Sequence, residues 1–208
     1  MTFTNQTSPH GSLVALSTMK DEGPTVVEWV AHHLAVGFTD LMVYTNECSD
    51  GTDALLKRLQ ALDIGVHHRE NTIPEGMKPH PSMLKLAAEE ELIINSDWLL
   101  VLDADEFMCI NHPSSTLDGM VTDLNAMEAQ AMVLTWRIFG SSGIRDWSRQ
   151  PITDQFTRAA PEFWNKGWGT KTMLRFDPEY QRLGMHRPVI KEKFRETDYP
   201  DSQHWVNG

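Results

Sequence analysis

Cysteine is nearly absent: Cys48 and Cys109 are the only two in 208 residues. A pair is too few for a disulfide framework or a zinc site built from cysteines, so a reducing, cytoplasmic setting is the expectation. Long hydrophobic runs are also missing. No stretch approaches the roughly 20 apolar residues of a membrane span, and the N-terminus lacks the basic and apolar regions of a signal peptide. Basic residues are the minority among the charges, 18 Lys and Arg against 29 Asp and Glu, for a formal net charge of -11. That balance argues against a general nucleic-acid binder, whose surface must neutralise phosphates. It leaves room for a nucleotide ligand whose charge a bound metal neutralises locally. The nine histidines show no regular metal spacing such as His-Glu-x-x-His. His32-His33 and His67-His68 are neighbours whose side chains diverge in either regular structure, and most histidines are expected at the surface. No internal repeat is present.

What is there is an alternation of short apolar runs and amphipathic stretches. Residues 1–11 are polar and read as a flexible lead-in, while 12–208 have the length of one domain with a full core. Leu13-Val14-Ala15-Leu16 reads as a buried strand ending in the polar loop 17–23. Pro24 sits where a helix takes its first residue; Val26, Val27, Val30 and Leu34 share a helical face, and Gly37 closes the helix. A second strand follows over 41–44, a helix over about 52–62 and a short third strand over 66–68. The segment around Pro74, Gly76, Pro79 and Pro81 is expected to be irregular, with a helix after it through Met83, Leu84, Ala87, Ile93 and Ile94. Further strands are expected over 131–136 and 171–176, and regularity fades between Asp105 and Ala131. This alternation predicts an α/β fold with a mostly parallel central sheet and helices on both faces. The abrupt stop at Trp205-Val206-Asn207-Gly208 reads either as truncation inside a larger protein or as a true end of that form.

The most specific feature is Asp103-Ala104-Asp105, directly after Trp98-Leu99-Leu100-Val101-Leu102. Five apolar residues, too few for a helix of their own, predict a strand buried on both faces. If strand geometry persists, both carboxylates point to the same side. Two acids so placed repel each other unless something positive sits between them, and a hard divalent cation carrying a phosphorylated ligand is the usual solution. Open α/β sheets bind ligands beyond the carboxyl ends of their strands. That rule gathers the loops 17–23, 45–52 and 103–107 and the segment after Trp136 on one edge, carrying Lys20, Asp21, Glu22, Asn46, Asp50, Asp103, Asp105 and Glu106.

The run Met19-Lys20-Asp21-Glu22-Gly23-Pro24, followed by Glu28-Trp29-Val30-Ala31-His32-His33 and Gly37-Phe38, resembles the opening of bacterial family-2-like glycosyltransferases. Tyr44-Thr45-Asn46-Glu47-Cys48-Ser49-Asp50-Gly51-Thr52, Asp103-Ala104-Asp105-Glu106-Phe107 and Trp136-Arg137-Ile138-Phe139-Gly140-Ser141-Ser142-Gly143 continue the resemblance, which covers roughly residues 12–190. It implies the GT-A fold, a Rossmann-like α/β sandwich. It also implies a metal-dependent, hexosyltransferase-like, inverting enzyme that moves a sugar from a nucleotide-diphosphate donor to a saccharide or lipid-linked acceptor. Mn2+ or Mg2+ would be the cofactor. By position, Asp105 would ligate the metal and Asp103 would contact the ribose, the metal or its waters. Glu22 and Asn46, with Lys20, would hold the base and ribose. His186 lies about where this fold takes a third metal ligand, and an imidazole beside two carboxylates suits Mn2+ better than Mg2+. A lipid-linked acceptor would bring peripheral membrane contact.

An inverting transfer needs a carboxylate to take the proton of the acceptor hydroxyl. Asp154 is the first candidate and Glu162 the second, while Lys171 or Arg187 would add positive charge at the leaving group. Trp136, Trp147, Trp164 and Trp168 are candidates for an apolar platform under a sugar ring, although core packing accounts for most tryptophans. Two other readings stand beside this one. Haloacid-dehalogenase-type phosphatases also place Asp-x-Asp after a buried strand, but near the N-terminus and with Thr or Val where this chain has Phe107. A non-catalytic nucleotide-sugar-binding module of the same fold is the other.

Overall fold

Strand β1 (Leu13–Met19) is buried along its whole length, because it is the middle of the parallel part of a sheet covered on both sides. The computed structural model describes residues 6–161, 164 and 169–194. Among these, β1, β2 (Asp40–Thr45), β3 (Val66–Glu70), β4 (Trp98–Val101), β5 (Ala131–Thr135) and β6 (Thr170–Leu174) form a six-stranded sheet in the order β3-β2-β1-β4-β6-β5. β2 and β4 flank β1 in parallel, with Ala15 opposite both Leu41 and Leu100. β6 is antiparallel to both of its neighbours, so it alone runs against the rest.

Alternation along the strands feeds two cores. Leu13, Ala15, Leu41, Val43 and Leu100 pack on one side against α1 (Val26–Val36), α2 (Thr52–Gln60) and α5 (Leu117–Ala126). Val14, Leu16, Met42, Leu99 and Val101 pack on the other against α3 (Pro79–Ala87) and α4 (Glu91–Ile94). Each fully buried Leu, Val or Met side chain contributes about 1.5–3 kcal/mol, which is why strands with no polar face are tolerated here. The expected α/β architecture, with a mostly parallel sheet and helices on both faces, is the one observed. No helix among the described residues is long and apolar enough to cross a membrane.

Several local expectations are corrected. The buried face of α1 is Val26, Trp29, Val30 and His33, while Val27 is 49% exposed. α3 begins at Pro79 inside the proline segment, because a proline in a first helical turn loses no intrahelical hydrogen bond. The helix expected through Met83–94 is two, separated at Ala88–Glu90. α5, unforeseen in the sequence, is capped by Thr116, whose hydroxyl accepts from Gly119 N. Gly37 ends α1 as expected, at φ 123°; a Cβ there would also lie 2.9 Å from the Leu117 Cβ on α5. Part of the polar lead-in is tied down: His10 Nε2 is within hydrogen-bond distance of Asp118 O and Thr122 Oγ1 on α5.

Candidate functional site

The aspartates do not continue the strand. β4 ends at Val101, and the chain folds into a turn in which Glu106 N–H donates to Asp103 O at 3.2 Å. The Glu106 carboxylate reaches back to accept from Asp103 N at 2.8 Å. Lys171, near the start of β6, is 2% exposed. Its ammonium lies 2.9 Å from Asp103 Oδ2 and 3.2 Å from Glu106 Oε2. Because β6 runs against the other strands, its first residues arrive at their carboxyl edge, and this brings Lys171 to Asp103 from 68 positions away. Burial pushes the Glu106 carboxyl above its ordinary value, and the Asp103 amide and Lys171 offset this only in part. The other Asp103 oxygen, Oδ1, lies 3.2 Å from His80 Nε2 in the first turn of α3. Asp105 is exposed and accepts no hydrogen bond among the described residues. The motif therefore splits into a locked first carboxylate and a free second one.

Helix α1 holds this turn in place. Trp29 Nε1 donates to Glu106 O at 3.0 Å, and His32 Nε2 lies 2.8 Å from Met108 O. His33 is fully buried; its Nδ1–H donates to Trp29 O at 2.8 Å and its Nε2 accepts from Met108 N at 3.3 Å. Those partners require the neutral ring, and burial lowers its pKa to about 4. The expectation of a surface histidine is thus corrected at His33. One turn earlier, the Glu28 carboxylate accepts from Ile152 N (2.8 Å), Thr153 N (3.1 Å) and Thr153 Oγ1 (2.8 Å), fastening α6 (Ile152–Gln155) to α1. Burial pushes the Glu28 carboxyl up, but the bonds from Thr153 and Ile152 outweigh it and hold it below its ordinary value.

The loops after β1 and β2 are stitched by their own acids. Asp21 accepts from Ser49 N and Oγ; Asp50 accepts from Gly23 N, Thr52 N and Thr52 Oγ1. These bonds stabilise left-handed backbone at Asp21 (φ 56°) and Glu47 (φ 46°), conformations that cost non-glycine residues about 1–3 kcal/mol. Glu22 is less engaged, with Thr25 Oγ1 at 3.3 Å. Its carboxyl is raised mainly by burial, and the charges of Asp105, Asp50 and Asp21 add to that. Asn46 is 6% exposed, and its amide makes no hydrogen bond among the described residues.

Lys20 pairs with Glu47 at 3.1 Å, both side chains exposed. His186, between β7 (Gln181–Arg182) and β8 (Val189–Ile190), reaches the same edge: its Nδ1–H donates to Thr170 O at 2.8 Å, leaving Nε2 open. Trp136 lies 5.6 Å from the His186 ring and against Gly169, where a Cβ would sit 1.9 Å from the indole. Asp154 is exposed in α6. Glu162 and Trp168 lie outside the described residues. Sequence reasoning missed His80; the only signal was the Pro79-His80-Pro81 run that starts α3 beside this edge.

Among the described residues, no group of three or more His, Cys, Asp or Glu is arranged to hold a metal ion. Asp103, Asp105 and His186 are therefore not assembled as a three-ligand site. The donor set still fits a hard divalent ion that takes most of its shell from water and phosphate oxygens, with Asp105 free and Asp103 Oδ1 engaged only by a partly exposed imidazole.

No protein-family model and no curated protein matches the chain. Among solved structures, it is similar to S. aureus TarS 1-349, with 12% identity, a TM-score of 0.44, and coverage of 66% of this chain and 38% of that one. It is also similar to the mannosyltransferase PcManGT from Pyrobaculum calidifontis, solved in complex with GDP-Man and Mn2+. There the identity is 15%, the TM-score 0.43, and the coverage 62% of this chain and 37% of that one. The chain thus spans well under half the length of either protein.

Proposed function

We propose that the carboxyl edge of this sheet binds a nucleoside-diphosphate sugar and that the protein is a glycosyltransferase. One observation carries the reading. At the point where strand order reverses, between β1 and β4, a locked turn presents an unengaged Asp105 within the field of Glu22. Such reversal points are where open α/β sheets take nucleotides. Asn46, just after β2, offers an unbonded amide for the base or ribose, and Glu22 and Lys20 stand in the loop after the neighbouring strand β1. Asp105, with Asp103 Oδ1, would hold a divalent ion, Mn2+ or Mg2+. When bound, that ion supplies Lewis-acid stabilisation of the charge gained by the departing diphosphate.

The chain's own residues have definable tasks. Lys171 and the Glu106 carboxylate keep the turn rigid, so that Asp105 is presented without reorganisation. Asp154, on the helix fastened by Glu28, is the candidate to accept the proton of a saccharide or lipid-linked acceptor in an inverting transfer.

The test is calorimetric titration of UDP and GDP, each with and without Mn2+, into the protein and into Asp105→Asn. Metal-dependent binding of one nucleotide, weakened at least tenfold in the variant, is the expected result. Binding of neither, or binding indifferent to Asp105, overturns the assignment.

A further inference from the structure

Beside the Glu22 turn, a cleft of about 480 Å³ opens between the start of α1 and the loop leading into α6. Pro24 and Glu28 line one wall, and Ile144, Asp146, Trp147 and Arg149 line the other. The volume lies within the roughly 300–1,000 Å³ of small-ligand sites. The start of α6, which also lines the cleft through Ile152 and Gln155, is held to α1 by the Glu28 bonds to Ile152 and Thr153. Trp147 is 74% exposed, the most exposed large apolar side chain among the described residues. Asp146 and Arg149 have no side-chain hydrogen bond or ion pair among the described residues.

We infer that this cleft binds a saccharide, and that it is the acceptor subsite of the proposed transferase. A pyranose ring carries an apolar C–H face and a rim of hydroxyls. The first matches an open indole; the second matches a carboxylate that accepts and a guanidinium that donates in the fixed fork of arginine. The cleft shares the Glu22–Pro24 turn with the candidate donor edge: Glu22 O accepts from Thr25 N and Val26 N, so the turn that carries Glu22 also shapes the cleft mouth. A lipid surface fits less well. Its anionic headgroups call for a basic cluster, whereas the charged residues here are Glu28, Asp146 and Arg149 in a chain of net charge -11.

The role as acceptor subsite rests on the transferase reading, but the binding does not. The probes are the methyl glycosides of glucose, galactose, mannose and N-acetylglucosamine, followed by saturation-transfer NMR on the wild-type protein, Trp147→Ala and Asp146→Asn. UDP and GDP are titrated into the same three samples with Mn2+. The expected result is saturation transfer to at least one glycoside, reduced tenfold or more in both variants, with nucleotide binding unchanged. No signal from any glycoside, or a signal that survives Trp147→Ala, overturns the inference. Trp147-dependent binding to phosphatidylglycerol vesicles without glycoside binding overturns it in favour of a lipid surface. Glycoside binding in a protein that takes no nucleotide leaves the saccharide cleft standing and refutes the donor-site reading instead.

Discussion

Replacing Lys171 by Met keeps most of the buried stem and removes the ammonium that two carboxylates share at 2.9 and 3.2 Å. The Lys171 side chain is 3% exposed, against 29% for Asp103 and 15% for Glu106. The variant therefore leaves two partly buried acids facing each other without a counter-charge. Breaking a buried ion pair from one side costs about 3–5 kcal/mol; water reaches Asp103, so the expected loss is about 3 kcal/mol. That is a large part of the about 5–15 kcal/mol available to a folded domain. Urea denaturation of wild type, Lys171→Met, Glu106→Gln and the double variant, all at neutral pH, measures it. If the lysine acts by neutralising the two acids, the double variant is more stable than the sum of the single losses allows, by about 1–2 kcal/mol. A Lys171→Met loss below about 1 kcal/mol, or strict additivity, would refute the view that this lysine holds the aspartate turn together by charge.

Two other perturbations probe what α1 does. His33 is neutral when folded, with a pKa near 4 against an ordinary 6.5, so the unfolded chain binds the extra proton between those values and stability falls as pH drops from about 6.5 to 4. At roughly 1.4 kcal/mol per pH unit the contribution is about 3 kcal/mol; His33→Gln should flatten the stability-versus-pH curve over that window by this amount, and an unchanged slope refutes the assignment. Glu28→Gln removes a charged acceptor of three hydrogen bonds, each worth about 1.5–3 kcal/mol when charge-assisted but screened at an exposed site. Amide exchange at Ile152 and Thr153 should quicken roughly tenfold while global stability changes by less than about 1 kcal/mol; unchanged exchange would show that α6 is held by something else.

The parallel half of the sheet was legible in the chain itself. Unbroken runs such as Leu13-Val14-Ala15-Leu16 and Trp98-Leu99-Leu100-Val101 leave no polar face for water, so they had to be covered on both sides, and the loops after them had to share an edge. Local chemistry likewise announced the end of α1 at Gly37. The aspartate pair was visible, but its geometry was not: whether a strand continues or turns depends on what awaits the side chains. Here that is Lys171, delivered by a strand running the opposite way. The same holds for His33, whose neutrality follows from Trp29 and Met108 closing around it, and for Glu28, whose partners lie 124 and 125 positions downstream. Periodicity and turn residues act over a few neighbours and are written in the sequence. Ion pairing, burial and pKa depend on groups far apart in the chain, and only the folded arrangement of β1, β4 and β6 under α1 decides them.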